Sequence, residues 1–256
     1  MRWKFWSKIY VIVGIAAGTL AGIAGAQAEE ASTRLKFEFG ASGLIRPIYE
    51  GATRYELRPL PHFRFLSLET GDKRIGREDK KGFYLGPSFD YIGKRLPSDS
   101  PSLAGMPTVP ASFEFGLRAA YEWTHVRVYS AVRYGLIGHK GVVGEFGLEA
   151  IIEPSENLRF TFGPVVTGAT DGYMQSYFSV PATATALAPY TASAGIKSIG
   201  LDLNARYDLN ETWAVDAGVR YSRLVGDAAA SPIAIAGSRN QVAGSLTFIR
   251  KFDILF

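Results

Sequence analysis

The sequence predicts an all-β fold, an antiparallel transmembrane up-and-down β-barrel of ten strands with both termini on the periplasmic side. Three observations predict it. Apolar and polar residues alternate with a period of 2 through most of the chain, the signature of strands with one apolar and one polar face. The runs are about 11 residues long, which is long for a soluble strand and right for a tilted one that crosses lipid. Aromatic residues gather near the strand ends, as an interfacial girdle requires.

The first 28 residues stand apart. Arg2, Lys4 and Lys8 precede an apolar run from Ile9 to Leu20, and Ala26-Gln27-Ala28 follows. This is the pattern of a cleaved secretory signal with an A-x-A site. A retained membrane helix is the alternative, but the uninterrupted apolar part falls short of the ~20 residues a span needs. The remaining chain, 29–256, reads as one domain, because its composition does not shift and no linker interrupts it. Loss of the signal leaves 25 basic against 24 acidic residues. That balance gives no support to a nucleic-acid groove. Cysteine is absent, which removes disulfides, thiol nucleophiles and cysteine metal sites.

Taken in order, Leu35, Phe37, Phe39 and Ala41 oppose Lys36, Glu38, Gly40 and Ser42 in a first strand from Thr33 to Arg46. The second run, Tyr55 to Leu68, carries Pro59 and Pro61, which cannot donate ladder hydrogen bonds, so it is expected to be the least regular strand. The charged stretch from Thr70 to Gly82 reads as a turn or a frayed hairpin. Alternation resumes from Phe83 to Gly93. After a Pro- and Ser-rich loop, Phe113, Phe115, Leu117, Ala119, Tyr121 and Trp123 oppose Glu114, Gly116, Arg118, Ala120 and Glu122. Strands from about Val126, Phe146 and Leu158 follow. The clearest hairpin runs from Ser198 to Leu224 around a turn at Asp208 to Glu211, and a last strand from about Gln241 ends on Phe256.

Connections alternate short and long. Outer-membrane barrels have short periplasmic turns and longer external loops. Turns near Glu122 to His125, Pro154 to Asn157 and Asp208 to Glu211 are therefore expected in the periplasm, and Lys94 to Pro110, Leu136 to Val142, Ala169 to Gly195 and Gly226 to Asn240 outside. With the apolar face inward, the same period would describe a lipocalin-like barrel or a sandwich. Strand length, aromatic strand ends and the heavily charged, glycine-bearing polar face favour the inverted version.

In that version the lumen receives Lys36, Glu38, Arg64, Glu114, Arg118, Glu122, Arg127, Arg133, Glu145, Glu149, Arg159, Asp202, Arg206, Asp216 and Arg220. Both signs occur in similar number. They are expected to pair across a barrel little wider than the eight-stranded kind whose interior fills; a narrow solute channel is the competing reading. A selective pore would want a ring of like charge. Catalysis has little basis: His62, His125 and His139 have no metal-binding spacing, no nucleophile-elbow, Walker or dinucleotide fingerprint is present, and no cofactor is expected. His139, in the turn Gly138-His139-Lys140-Gly141, leaves a membrane-embedded hydrolase as a third alternative.

Several stretches resemble the MipA/OmpV family of outer-membrane proteins, the family of the MltA-interacting protein. They are Pro47-Ile48-Tyr49-Glu50-Gly51 with Arg58-Pro59-Leu60-Pro61, Gly138 to Gly141, Asp171-Gly172-Tyr173-Met174-Gln175-Ser176-Tyr177-Phe178, Gly195 to Leu201, and Tyr221 to Ile233. The resemblance implies a non-enzymatic barrel in the outer membrane of a Gram-negative bacterium, in contact with its lipid and lipopolysaccharide. It also implies a scaffold that binds a murein lytic transglycosylase and bridges it to a peptidoglycan synthase; other members are associated with adhesion, osmotic or antibiotic response. The family supplies no catalytic motif. In the two specific blocks, Tyr173, Met174, Gln175, Tyr177, Phe178, Asp227 and Pro232 are the candidate interaction residues. The first block is either a binding surface or an aromatic loop folded over the barrel mouth, and the second divides the same way. Two departures stand out. Charged Glu69 to Lys81 replaces a further apolar hairpin, which favours ten strands over the family's twelve, and Asp253-Ile254-Leu255-Phe256 follows the usual terminal aromatic.

Overall fold

The computed structural model describes residues 32–76 and 81–256, and Ser32–Phe256 form one compact unit. The expected signal segment, 1–28, lies outside the described residues. Strands form where alternation begins: β1 (Thr33–Pro47), β2 (Tyr55–Thr70), β3 (Lys73–Gly76), β4 (Gly82–Ile92), β5 (Ser112–Glu122), β6 (Val126–Ile137), β7 (Val142–Ser155), β8 (Leu158–Ala169), β9 (Gly195–Asp208), β10 (Trp213–Leu224) and β11 (Asn240–Leu255). They lie in the order β3-β2-β1-β11-β10-β9-β8-β7-β6-β5-β4. Neighbours in sequence are neighbours in space. The ladder from Arg34↔Leu255 to Ile45↔Gly244 joins the first long strand to the last, giving a nearly closed antiparallel barrel with both described ends at its short-turn end.

The described strands number eleven rather than ten. The addition is β3, whose Lys73–Gly76 pair with Ser67–Thr70. Gly71, with φ 55°, lets the chain reverse directly after β2, and backbone pairing then continues, with Arg74 of β3 pairing to Glu69 of β2 at 2.9 Å. All four β3 residues are exposed, so there was no alternation to read.

Ladder pairing stops between β3 and β4 among the described residues. Pro59 and Pro61 lie in β2 and Pro87 in β4, the strands that flank this seam. A proline that cannot donate costs least at an edge. β2 nonetheless stays extended along its whole length, with a single bulge where the register with β1 shifts between Lys36 and Phe37. Side chains bridge the seam toward the long-loop end. Arg46 pairs with Asp90 at 3.6 Å and donates to the Tyr91 carbonyl, while the Arg58 guanidinium lies 5.7 Å from the Tyr91 ring centroid.

The faces are inverted relative to a soluble barrel. On β5, Phe115, Leu117 and Tyr121 are exposed, while Glu114 and Glu122 keep 1% and 3% exposure. The same division holds around the wall, with Phe63, Leu85, Val132, Phe146, Leu201, Val219 and Phe248 outward. Such a continuous apolar outer band is what lipid requires. No described helix is long and apolar enough to cross a membrane; the strands cross it.

The long connections are not plain loops. They carry α1 (Asp171–Phe178), α2 (Gly226–Ala230) and α3 (Pro232–Ala236), and they fold together over one end of the barrel. Two buried clusters hold this cap. One centres on Val109, Tyr173, Met174, Tyr177, Phe178 and Ala228, the other on Tyr49, Leu103, Met106, Val180 and Ile233. This cap is the molecule's conventional apolar core.

Candidate functional site: a capped and charged lumen

The cap is built on α1. Tyr173 and Tyr177 stand four residues apart, as do Met174 and Phe178, so both pairs face the same side of the helix. All four are buried, with at most 2% exposure. They are core of the cap and present no surface to a partner; Asp171 and Gln175 are the exposed residues of this block. In the second block, the Asp227 carboxylate accepts from the Ser193 amide at 2.8 Å, and its carbonyl accepts from the Tyr190 hydroxyl. Pro232 opens α3 behind Ser231, whose side chain accepts from the Ile233 amide and donates to the Phe178 carbonyl at 2.6 Å. Both residues serve loop geometry.

Polar contacts join cap to wall. The Tyr173 hydroxyl donates to Glu50 Oε1 at 2.7 Å; Lys197, 8% exposed, pairs with the same oxygen and donates to the Tyr173 hydroxyl at 3.2 Å. The Tyr177 hydroxyl shares a 2.8 Å hydrogen bond with Ser112 Oγ on β5. Burial, reinforced by the neighbouring Glu50 carboxylate, pushes the Tyr173 hydroxyl well above the ordinary tyrosine range. Burial likewise pushes Tyr177 up to about 12.

His139 belongs to this joint and is not the accessible residue a hydrolase would need. It is 2% exposed and edge-on to the Tyr173 and Tyr177 rings, with centroids 4.8 and 5.6 Å away. Its Nδ1 accepts from the Gly141 amide at 3.1 Å, so the ring proton sits on Nε2, 3.0 Å from Glu114 Oε1.

Beneath the cap lies a cavity of about 900 Å³ whose lining comes from every long strand of the barrel. Of the fifteen lumen charges picked from the polar face, all but Lys36 line it. Arg220 forks onto Asp202 with two 2.6 Å bonds and reaches Glu145 on β7 at 2.9 Å. Arg133 donates to Glu114 at 3.0 Å and lies 3.8 Å from Glu145. Toward the short-turn end, Arg159 meets Glu122 at 2.7 Å, and Arg127 pairs with Glu149. Arg206 holds Glu38 of β1 at 2.7 Å, where Arg64 adds a second guanidinium at 2.7 Å. Arg118 stacks on the Tyr129 ring at 3.8 Å, and Asp216 accepts from Asn204 Nδ2 at 2.5 Å. Charges that would be prohibitive in lipid are thus paired inside.

Sequence reasoning did not single out Glu50, Lys197, Ser112 or Tyr129. Tyr129 was visible as an aromatic on the polar face of β6; Glu50 and Lys197 lay in stretches that resemble the family, but nothing local paired two residues 147 apart. Among the described residues no three His, Cys, Asp or Glu gather as a metal would need.

An antiparallel barrel with an apolar outer band, a charged interior and a folded lid over one mouth is an outer-membrane β-barrel. The chain belongs to the MipA family, whose model, described as MltA-interacting protein MipA, matches residues 39–252. No curated protein sequence matches it. Among solved structures it is loosely similar to an outer-membrane channel from Pseudomonas putida F1, with 9% identity and a TM-score of 0.40 over 89% of this chain and 97% of that one. For OprG from Pseudomonas aeruginosa the figures are 10%, 0.30, 87% and 97%. For Ail of Yersinia pestis they are 11%, 0.28, 87% and 99%.

Proposed function

We propose that this barrel is a non-enzymatic scaffold of the outer membrane that binds a murein lytic transglycosylase and links it to a peptidoglycan synthase, with its short-turn end in the periplasm. The folded lid carries the reading: Tyr173, Met174, Tyr177 and Phe178 fill the mouth that a through-channel would leave open. With tight turns such as Asp208–Trp213 at the other end, the partner's contact surface is the periplasmic rim of the barrel and the entrance to the lumen. The competing reading, a narrow channel, draws on the cavity of about 900 Å³ under the lid; the surface-adhesin reading draws on the exposed top of the cap.

The test is co-purification of the gently solubilised barrel from envelopes, paired with bilayer recordings. A peptidoglycan hydrolase recovered with a silent barrel supports the scaffold. A barrel recovered alone that conducts would replace it with the channel.

A further inference from the structure

Arg95, in the connection between β4 and β5, is buried in the cap with 2% exposure, and among the described residues no carboxylate oxygen lies within 4 Å of it. Burial pushes its guanidinium below the ordinary arginine range, and Asp99 is the carboxylate whose charge reaches it. Asp99 is taken elsewhere. It pairs with Arg54 at 3.5 Å and accepts from the Leu96 amide at 2.6 Å. A guanidinium buried without a counter-charge is costly.

What Arg95 does hold accounts for only part of it. Nη1 donates to the Tyr177 carbonyl at 2.7 Å, closing the last turn of α1. Nη2 reaches the Ser176 carbonyl only at 3.4 Å, and the buried Nε has no hydrogen-bond partner. The edge left over is the one that Nε and Nη2 form together. Elsewhere in this protein the same edge grips carboxylates: Arg220 lays it on Asp202 with two bonds of 2.6 Å, and Arg34 lays it on Asp253 at 2.7 and 2.6 Å. In Arg95 the fork is made and the two-oxygen anion that fits it is supplied by no residue of the chain.

Arg95 lines a second cavity, of about 430 Å³, separate from the lumen and formed by the long connections and the C-terminal end of α1. That is an ordinary size for a small-molecule site. Pro107, Thr108, Pro110, Gln175 and Thr191 line it and are exposed, so it opens to the outside of the cap. No acidic side chain lines it. His139 does, but its ring nitrogens are occupied by the Gly141 amide and Glu114. The site therefore offers one cation, with exposed hydroxyl and amide groups of Thr108, Gln175 and Thr191 around it.

We propose that this cavity binds a sugar acid, its carboxylate on the Nε and Nη2 edge of Arg95 and its hydroxylated body against the polar rim. One guanidinium balances a monoanion, and a planar fork matches a carboxylate's two oxygens. The ligand comes either as a free sugar acid or as a residue of an acidic surface polysaccharide.

Titration calorimetry of the purified full barrel in uncharged detergent micelles tests this, with D-glucuronate as the probe. Glucuronate is expected to bind, and D-glucose, which has the body without the charge, and acetate, which has the charge without the body, to bind about tenfold more weakly or worse. Arg95→Lys keeps the charge and removes the fork, and is expected to cause a similar loss, with a heat-modifiability gel confirming that the variant is folded. A trigalacturonate that binds as well as the monomer identifies the polysaccharide as the source, and binding of the monomer alone identifies the free acid; both support the site. Absence of glucuronate binding, equal binding of glucose, or tighter binding of glucose 1-phosphate overturns the proposal, and these comparisons decide it on the unaltered protein even where Arg95→Lys does not fold.

Discussion

His139 Nε2 lies 3.0 Å from Glu114 Oε1, and this contact locks the cap onto the barrel wall. Glu114 is fixed from below by Arg133, and His139 from above by the two tyrosine rings of α1. The lid and the lumen network are therefore one connected structure. His139→Ala leaves a buried carboxylate oxygen without its donor and opens a hole between the rings. The expected cost is about 2–3 kcal/mol, read as a lower midpoint of urea unfolding in micelles.

Alkaline pH should loosen the same joint. The folded-state values of Tyr173 and Tyr177 are raised, so the folded protein holds these protons more tightly than the unfolded chain. Their stabilisation is intact below the unfolded tyrosine value of about 10 and is lost as pH rises, by about 1.4 kcal/mol per pH unit for each hydroxyl. For Tyr177 the loss runs from about pH 10 to about 12. Unfolding measured across this window should show the decline, and Tyr177→Phe should make it shallower, leaving the share that Tyr173 contributes.

Glu38 is the shared anion of Arg64, on the adjacent strand β2, and Arg206, on β9 three strands around the ring on the other side. Glu38→Ala leaves two guanidiniums facing each other. Because Arg64 is partly open to water, the expected cost is moderate, about 2 kcal/mol. Added salt should recover part of it by screening the repulsion.

How far this architecture could be read from the sequence depends on the range of the interaction. Period 2 located β5 through β10 closely, and parity alone assigned Glu114, Arg118 and Glu122 to one face and Phe115, Leu117 and Tyr121 to the other. Partners within the lumen were not legible, because Arg220 and Glu145 are 75 residues apart and meet only through the tilt of the wall. The cap was half legible: Tyr173/Tyr177 and Met174/Phe178 have helical spacing, but one turn and a half among loop residues is too short a signal to announce a helix. β3 was legible only as a charged turn or frayed hairpin, since its four residues are all exposed and show no alternation.

Gly147 lies directly under the Tyr129 ring, and Tyr129 carries Arg118. Gly147→Ala places a methyl group in the space of that ring. The expected effect is a loss of about 1–3 kcal/mol from overpacking, with a changed near-ultraviolet circular dichroism signal as Tyr129 turns away.

The closed mouth is the central claim, and single-channel recording in planar bilayers tests it most directly. The intact protein should be silent, while a variant lacking 172–193, the segment that brings Tyr173, Met174, Tyr177 and Phe178 into the lid, should open steps of defined size. Steps of that size from the intact protein would contradict the account.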